Sequence, residues 1–425
     1  MIGFLFKGIV RDRGRSLFPF LTVLIGVFLT VVLFCYMKGA TSAVTRTNAN
    51  FQTGHVKVMT RAYARESDQA PNDAGLTDVT RLLQDLGQRF PAYEWAARIH
   101  VGGLLDIPDD KGETRTQGPA FGIAADILTP GSREPGRLGL AKGIKRGRLP
   151  ARAGEILVSD DFARKLGVGP GDTATLISTT AHGSMAMANF TISGTIRFGA
   201  IALDRMGFII DLADARAALD MDNGAGEILG LFVSGVFDRR ASDETARLFN
   251  EATGGIDKND FAPTMVPLAG QSNLGQLLDL WGASQTIIIL IFLLPMSLVL
   301  WNAGLLGSLR RYGEMGVRLA IGEDKGHVYR TLLAESLMIG MLGSVAGTIL
   351  GLAVSYYLQA HGFDVTSLMK NASMLMPSVL YAQVTPFSYA IGFFPGLVAT
   401  FIGTAIAGRG IYKRQTARLF KELET

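Results

Sequence analysis

The 425-residue chain is 48% hydrophobic and carries 41 Lys or Arg against 37 Asp or Glu. One cysteine excludes an internal disulfide. The absence of any G-x-x-x-x-G-K-[ST] phosphate loop argues that the chain does not itself hydrolyse ATP.

Residues 1–16 form a basic tail with Lys7, Arg11, Arg13 and Arg15. Leu17 to Met37 follows as an apolar run without Lys or Arg. Spanning a bilayer core takes about 20 apolar residues, so 17–37 is expected to be a first transmembrane helix. Its length exceeds a typical signal-peptide core and no clear cleavage site follows, so it reads as a signal anchor. Cys35 lies inside it as a small packing residue.

Residues 38–285 are expected to form a large mixed α/β domain. Gly54 to Met59 alternates like a strand, and Leu76 to Phe90 has helical spacing. Ala96 to Leu105 and Gly118 to Ala124 read as strands. Gly154 to Ile177 (GEILVSDDFARKLGVGPGDTATLI) reads as strand, helix, turn and strand, with Asp160 capping the helix, Gly167 ending it and Pro170-Gly171-Asp172 turning the chain. Phe190 to Arg197, Met206 to Asp211 and Ile228 to Phe237 are further strands, while Asp214 to Leu219 and Ser242 to Ala252 are helices. Residues 91–205 look like a β-rich insertion in an α/β unit. Gly143 to Arg152 (GIKRGRLPAR) is expected to be a solvated basic turn, and His182 to Asn189 (HGSMAMAN) a hairpin connection.

Three more apolar runs follow at 286–306, 332–358 and 387–407. The fold class expected is an α-helical membrane protein with four transmembrane helices and a large mixed α/β extracytoplasmic domain between helices one and two. The loop 307–331 carries Arg310, Arg311, Arg318, Lys325 and Arg330; the tail 408–425 carries Arg409, Lys413, Arg414, Arg418 and Lys421; the loop 359–386 carries only Lys370. Positive charge stays on the cytoplasmic side, so both termini and 307–331 are expected to face in, and 38–285 and 359–386 out. The long segment 38–285 holds 26 basic and 29 acidic residues, a net of −3 that leaves +7 for the margins. The basic pI is thereby explained by topology and anionic membrane lipid, and no nucleic-acid partner is expected.

Gly343, Gly347 and Gly351 recur every four residues, which places them on one helix face as a packing surface. Glu335 lies near the expected headgroup level. Met369, Met374 and Met376 in loop 359–386 are read as apolar packing at the membrane surface. The five histidines, His55, His100, His182, His327 and His361, are scattered and read as surface or turn residues. With no H-E-x-x-H, no paired-cysteine zinc spacing and no G-x-S-x-G, neither a catalytic residue nor a metal site is assigned.

The order helix, large external domain, three helices, with SLRRYGEMGVRLAIGEDKGHVYRTLLAES after the second helix, resembles the MacB/FtsX-type permeases of ABC transporters. By size and domain order it is most similar to the lipoprotein-releasing permeases LolC and LolE. FKGIVRDRGRS and GRLPARAGEILVSDDFARKLGVGPGDTATL share the resemblance. It implies a bacterial inner-membrane protein whose loop 307–331 is a coupling element for an ABC ATPase, with Arg311, Glu314, Met315, Gly316, Arg318 and Gly322 matching that element. Tyr312-Gly313 departs from the extra charge that family members often carry there. The resemblance also implies a second permease copy or related permease, and a periplasmic acceptor or adaptor protein. ATP and Mg are expected on the ATPase, with no cofactor in this chain. A lipoprotein extractor would frame an acyl-chain cavity with helices one and two, for which Leu24, Phe28, Val32, Leu290 and Leu294 are the candidate lining residues. The alternatives are MacB-like efflux with a periplasmic adaptor and an FtsX-like signal relay to an extracytoplasmic partner.

Overall fold

The computed structural model describes residues 13–109, 111–254, 259–271, 274–309, 312–365 and 377–409. The chain divides into two units: residues 1–42, 281–363 and 380–425, and residues 43–280 and 364–379.

The apolar runs become helices because a backbone without water must satisfy its own hydrogen bonds. Helix α1 spans Arg13–Asn48 and closes in a π turn over Ala49–Thr53. In the second unit, strands β1 (Val56–Thr60), β2 (Tyr93–Pro108), β3 (Thr114–Ala125), β4 (Ile144–Gly147), β5 (Glu155–Ser159), β6 (Thr173–Thr179), β7 (Met185–Ile196), β8 (Gly207–Asp211), β9 (Glu227–Phe232) and β10 (Pro263–Pro267) form one ten-stranded sheet. The helices that cover it include α2 (Val79–Arg89), α3 (Asp160–Leu166), α4 (Leu212–Leu219) and α5 (Arg239–Gly254).

The strand order is β10-β1-β9-β2-β3-β8-β5-β7-β4, and β6 pairs with both β2 and β7. That second pairing closes a ring, β2-β3-β8-β5-β7-β6, with β9, β1 and β10 as a wing on the first half of β2. β2 is long enough to serve both: residues 93–98 pair with β9 and residues 104–106 with β6. A closed ring leaves few unpaired edges. Its filling is Ile99, Leu105, Ile156, Val158, Phe162, Leu176, Ile192 and Phe208, among others, all buried.

Residues 91–205 are therefore not a separable insertion: they contribute β2 to β7 to the same sheet as β1, β8, β9 and β10. Several local expectations also change. Ser159, not Asp160, caps α3, its hydroxyl accepting from the Phe162 N–H at 3.4 Å, and Gly167 ends the helix at φ 69°. Met185 and Met187, expected in a connection, belong to β7, which pairs with β6 from Met185 onward and leaves Thr180–Ser184 as the turn. β9 stops at Phe232, where a turn over Val233–Gly235 follows, the Gly235 N–H donating to the Phe232 carbonyl at 2.9 Å. His55 and His100 are buried rather than at the surface.

In the first unit, α6 (Leu274–Leu309) runs from residue 281, followed by α7 (Tyr312–Ala320), α8 (Lys325–His361) and α9 (Phe393–Gly408). The described residues include three helices long and apolar enough to cross a membrane, Leu17–Thr53, Lys325–His361 and Pro386–Gly408, while α6 contributes a shorter apolar stretch over Gly282–Ile291. The last span opens in a tighter turn. Pro386 opens a 3-10 turn over Pro386–Tyr389, boxed by Thr385 and Ser388, and the α-helix proper begins at Phe393.

Gly343, Gly347 and Gly351 lie against α1, opposite Val23, Val27 and Val31. Both rows repeat every four residues, the spacing by which one helix's ridge fits its neighbour's groove. Gly392 and Gly396 press on Val27 and Val31 as well. Val23, Val27, Val31, Phe34 and Cys35 are consequently buried by protein.

Candidate functional site

The element between α6 and α8 is a nine-residue helix with local stop and start signals. Helix α7 ends because Gly322 adopts φ +99°, a conformation costly for any residue with a Cβ. The Ile321 N–H donates to the Val317 carbonyl at 3.0 Å, and the Glu323 N–H to the Arg318 carbonyl at 3.0 Å, satisfying the helix end. Two residues later the Asp324 carboxylate accepts from the Gly326 N–H at 2.9 Å and the His327 N–H at 3.3 Å, capping α8.

One side of α7 is anchored: Leu319 packs on the cluster of Val328 and Leu332 in α8, against which Tyr329 also packs. Tyr329 in turn donates its hydroxyl to the Ala405 carbonyl at 3.1 Å, and Gly408 fits against its ring. The short helix is thus tied through α8 to the end of α9. Its other side carries Val317 and Arg318 to the surface, and Ile321, in the turn just past its end, is 80% exposed. Val317 and Ile321, four residues apart, make a short exposed apolar ridge with the charge of Arg318 beside it.

Of the residues expected in this element, Gly316 is buried, Arg318 is exposed and Gly322 forms the stop. Glu314 and Met315 lie within α7 by backbone, and Arg311 falls outside the described residues, as do Met369, Met374 and Met376. Of the candidate cavity residues, Leu24, Phe28 and Val32 are half-buried. The Leu24 carbonyl and Phe28 N–H abut Gly347 of α8. Leu290 and Leu294 are exposed on α6, which reaches the α1 cluster through Ile289 instead.

The second unit holds charge clusters that sequence reading missed. Lys57 on β1, Glu227 on β9 and His100 on β2 are all buried. Glu227 takes Lys57 Nζ at 2.6 Å and His100 Nε2 at 2.8 Å. Burial opposes the charge on Glu227, but the Lys57 and His100 partners win and hold it down to about 2. Arg98, fully buried, donates to Glu134 at 2.8 Å and to the Asn50 carbonyl at 2.6 Å. Arg137 joins Glu134 to Glu94. A cleft of about 660 Å³ opens beside this network, lined in part by Glu94, Trp95, Glu134, Arg137, Asp211 and Arg216. Among the described residues no group of three or more His, Cys, Asp or Glu is placed to hold a metal.

Two family models match the chain: an FtsX-like permease C-terminal domain over residues 286–416, and a MacB-like periplasmic core domain over residues 16–247. The chain belongs to the MacB/FtsX-type permease family. The permease is therefore a membrane component of an ABC transporter, an inner-membrane protein with a periplasmic domain, from a family whose members work with ABC ATPases. Among solved structures it is similar to the periplasmic region of MacB from Actinobacillus actinomycetemcomitans, at 10% identity and a TM-score of 0.35, covering 55% of this chain and 95% of that one. No curated protein matches the permease significantly.

Proposed function

We propose that the permease receives a separate ABC ATPase on α7 and uses its strokes to release lipoproteins, or a similar amphiphile, from the inner membrane to a periplasmic acceptor. The observation that carries the docking step is the exposed Val317 and Arg318, with Ile321 just past them, on a helix anchored from behind by Leu319. In this reading α6 is the fourth span. Its 36 residues extend about 54 Å at 1.5 Å each, ample for a bilayer core. Both termini then face the cytoplasm with the basic margins, and a second copy or related permease completes the transporter.

The test is affinity purification from native membranes in mild detergent, comparing the native chain with Ile321→Asp. The native chain should retain an ABC ATPase and the variant should lose most of it. Equal recovery with both chains, or none with either under conditions that preserve a known transporter, overturns the docking step.

The MacB-like core domain supports efflux through a periplasmic adaptor as the second reading. ATPase assays with the reconstituted complex separate the two. Stimulation by an acylated lipoprotein favours release; stimulation by small amphiphiles alone favours efflux.

A further inference from the structure

Residues 143–152 are not a free basic turn. Glu155 opens β5 and Asp160, five residues on, opens α3; both are buried. Each is shared by two arginines. Glu155 accepts from both terminal nitrogens of Arg148, one at 2.8 Å, from Arg152 Nε at 3.1 Å and from the Ala151 N–H at 2.8 Å. Asp160 accepts from Arg146 Nε at 2.9 Å, from the Thr195 hydroxyl at 2.7 Å and from a terminal nitrogen of Arg164.

Four guanidiniums against two carboxylates leave two positive charges uncompensated within the cluster. The anchoring also leaves donors over. A guanidinium has five N–H groups in a planar fork. Arg146 and Arg152 bond their carboxylates through Nε alone, and Arg164 through one terminal nitrogen. The side chains of Arg146, Arg148, Arg164 and Arg152 are 41, 50, 70 and 79% exposed. The structure fixes one end of each fork on a buried acid and turns the remainder to solvent. Fixed forks bind carboxylates with less entropy to lose than free surface arginines.

The arrangement also selects the shape of what binds. Arg146 lies on β4 and Arg148 just past its end; Arg146 reaches Asp160 of α3 and Arg148 reaches Glu155 of β5. β4 is the last strand in the sheet order, so its outer edge is unpaired by the strands described. A free phosphate or a single headgroup is best held by cations converging on one point. Here two separate acids hold the arginines as two pairs, Arg148 with Arg152 and Arg146 with Arg164. An extended chain, by contrast, presents a row of same-side side chains about 6.6 Å apart, so it can meet both pairs at once, and open strand edges accept such chains.

We propose that this cluster of four arginines, beside β4, docks an extended acidic segment of a partner protein. The proposal stands whatever the permease carries.

The test uses the full chain in neutral phosphatidylcholine nanodiscs and a fluorescent dodecapeptide of alternating Glu and Thr, read by anisotropy. Its Gln–Thr counterpart, inorganic phosphate and phosphatidylglycerol vesicles are compared. Binding of the acidic peptide but not the Gln–Thr peptide is expected, weakening by about threefold for each of Arg152→Gln and Arg164→Gln. Arg148 and Arg146 remain on the two acids, so the variants should melt with the native chain. If they melt early, Arg152→Lys and Arg164→Lys keep the charge and discard the fork, and the same direction of loss is expected. No binding of the acidic peptide, binding unchanged in the variants, or phosphate or phosphatidylglycerol binding as tightly as the peptide and equally sensitive to them, overturns the proposal.

Discussion

Gly347→Ala is a sharp test of the α1–α8 contact because two effects of opposite sign compete. Alanine is the better helix former by up to about 1 kcal/mol, so an uncontacted glycine should gain stability on substitution. A Cβ at Gly347, however, would lie 2.5 Å from the Leu24 carbonyl oxygen, 2.9 Å from Val27 Cβ and 3.2 Å from the Phe28 nitrogen. Two of those atoms are backbone, so no rotamer change relieves them and the helices must part by nearly 1 Å. Gly343 and Gly351, each 2.9 Å from a valine Cβ by the same measure, would lose contact in the same movement. A gap of that size forfeits a quarter to a half of each dispersion well, and overpacking costs about 1–3 kcal/mol. The clash wins, leaving a net loss of roughly 1–2 kcal/mol. Gly340→Ala on the same helix is the counter-case. Its Cβ would meet only side-chain atoms at 3.4 Å or beyond, so it should be neutral or slightly stabilising. Denaturation midpoints in mixed micelles report both. Val27→Ala should not rescue Gly347→Ala, because the shortest contact is the Leu24 carbonyl. Equal effects at the two glycines, or rescue by Val27→Ala, would refute the reasoning.

The second unit gives further tests by chemical denaturation of the intact chain. Lys57→Met leaves Glu227 buried with His100 alone and should cost roughly 3–5 kcal/mol, of which Lys57→Met with Glu227→Leu recovers a large part; a loss below 1 kcal/mol sinks the idea that the pair is mutually dependent. Burial, with Arg137 adding, holds His55 at about 4 against 6.5 in the unfolded chain. The unfolded chain then takes up the proton first, so His55's contribution is present above pH 6.5 and lost as pH falls towards 4. Burial pushes Asp204 up to about 6 from 3.8. There the unfolded chain releases its proton first, so stability is lost as pH rises from 4 to 6. Over this shared window His55→Gln should leave stability falling with pH and Asp204→Asn should leave it rising; parallel curves for the two variants would contradict the assignments.

The membrane helices were legible because a bilayer imposes one rule on every residue of a span. The glycine face was legible for the same reason: three residues at a spacing of four fall on one face whatever lies opposite. What the sequence could not supply was the partner, since nothing in Gly347 names Leu24. The loop 307–331 was readable as an element through Gly322 and Asp324, stop and start signals that act within a few residues. The exposure of Ile321 was not, because it depends on Leu319 being the side chain that finds α8. The last span was found within a residue at each end, but not the 3-10 turn that Pro386 and the Thr385–Ser388 box put at its start.

The strands of the second unit were largely found and their assembly was not, and the reason is distance along the chain. Alternation marks β1, yet Lys57 within it is buried because Glu227, 170 positions away, receives its charge. Read locally, a lysine in such a strand marks a solvent face. The basic run 143–152 misled in the same way, since its arginines answer to Glu155 at the start of β5 and Asp160 at the start of α3. The supposed insertion shows the largest case. Composition suggested that residues 91–205 were separable, but β2 and β3 close a ring with β8 while β2 also carries β9. Removing β2 and β3 would cost β8 and β9 one neighbour each and open the ring. In a ring each strand needs two partners, so the unit of folding is the closed set of strands.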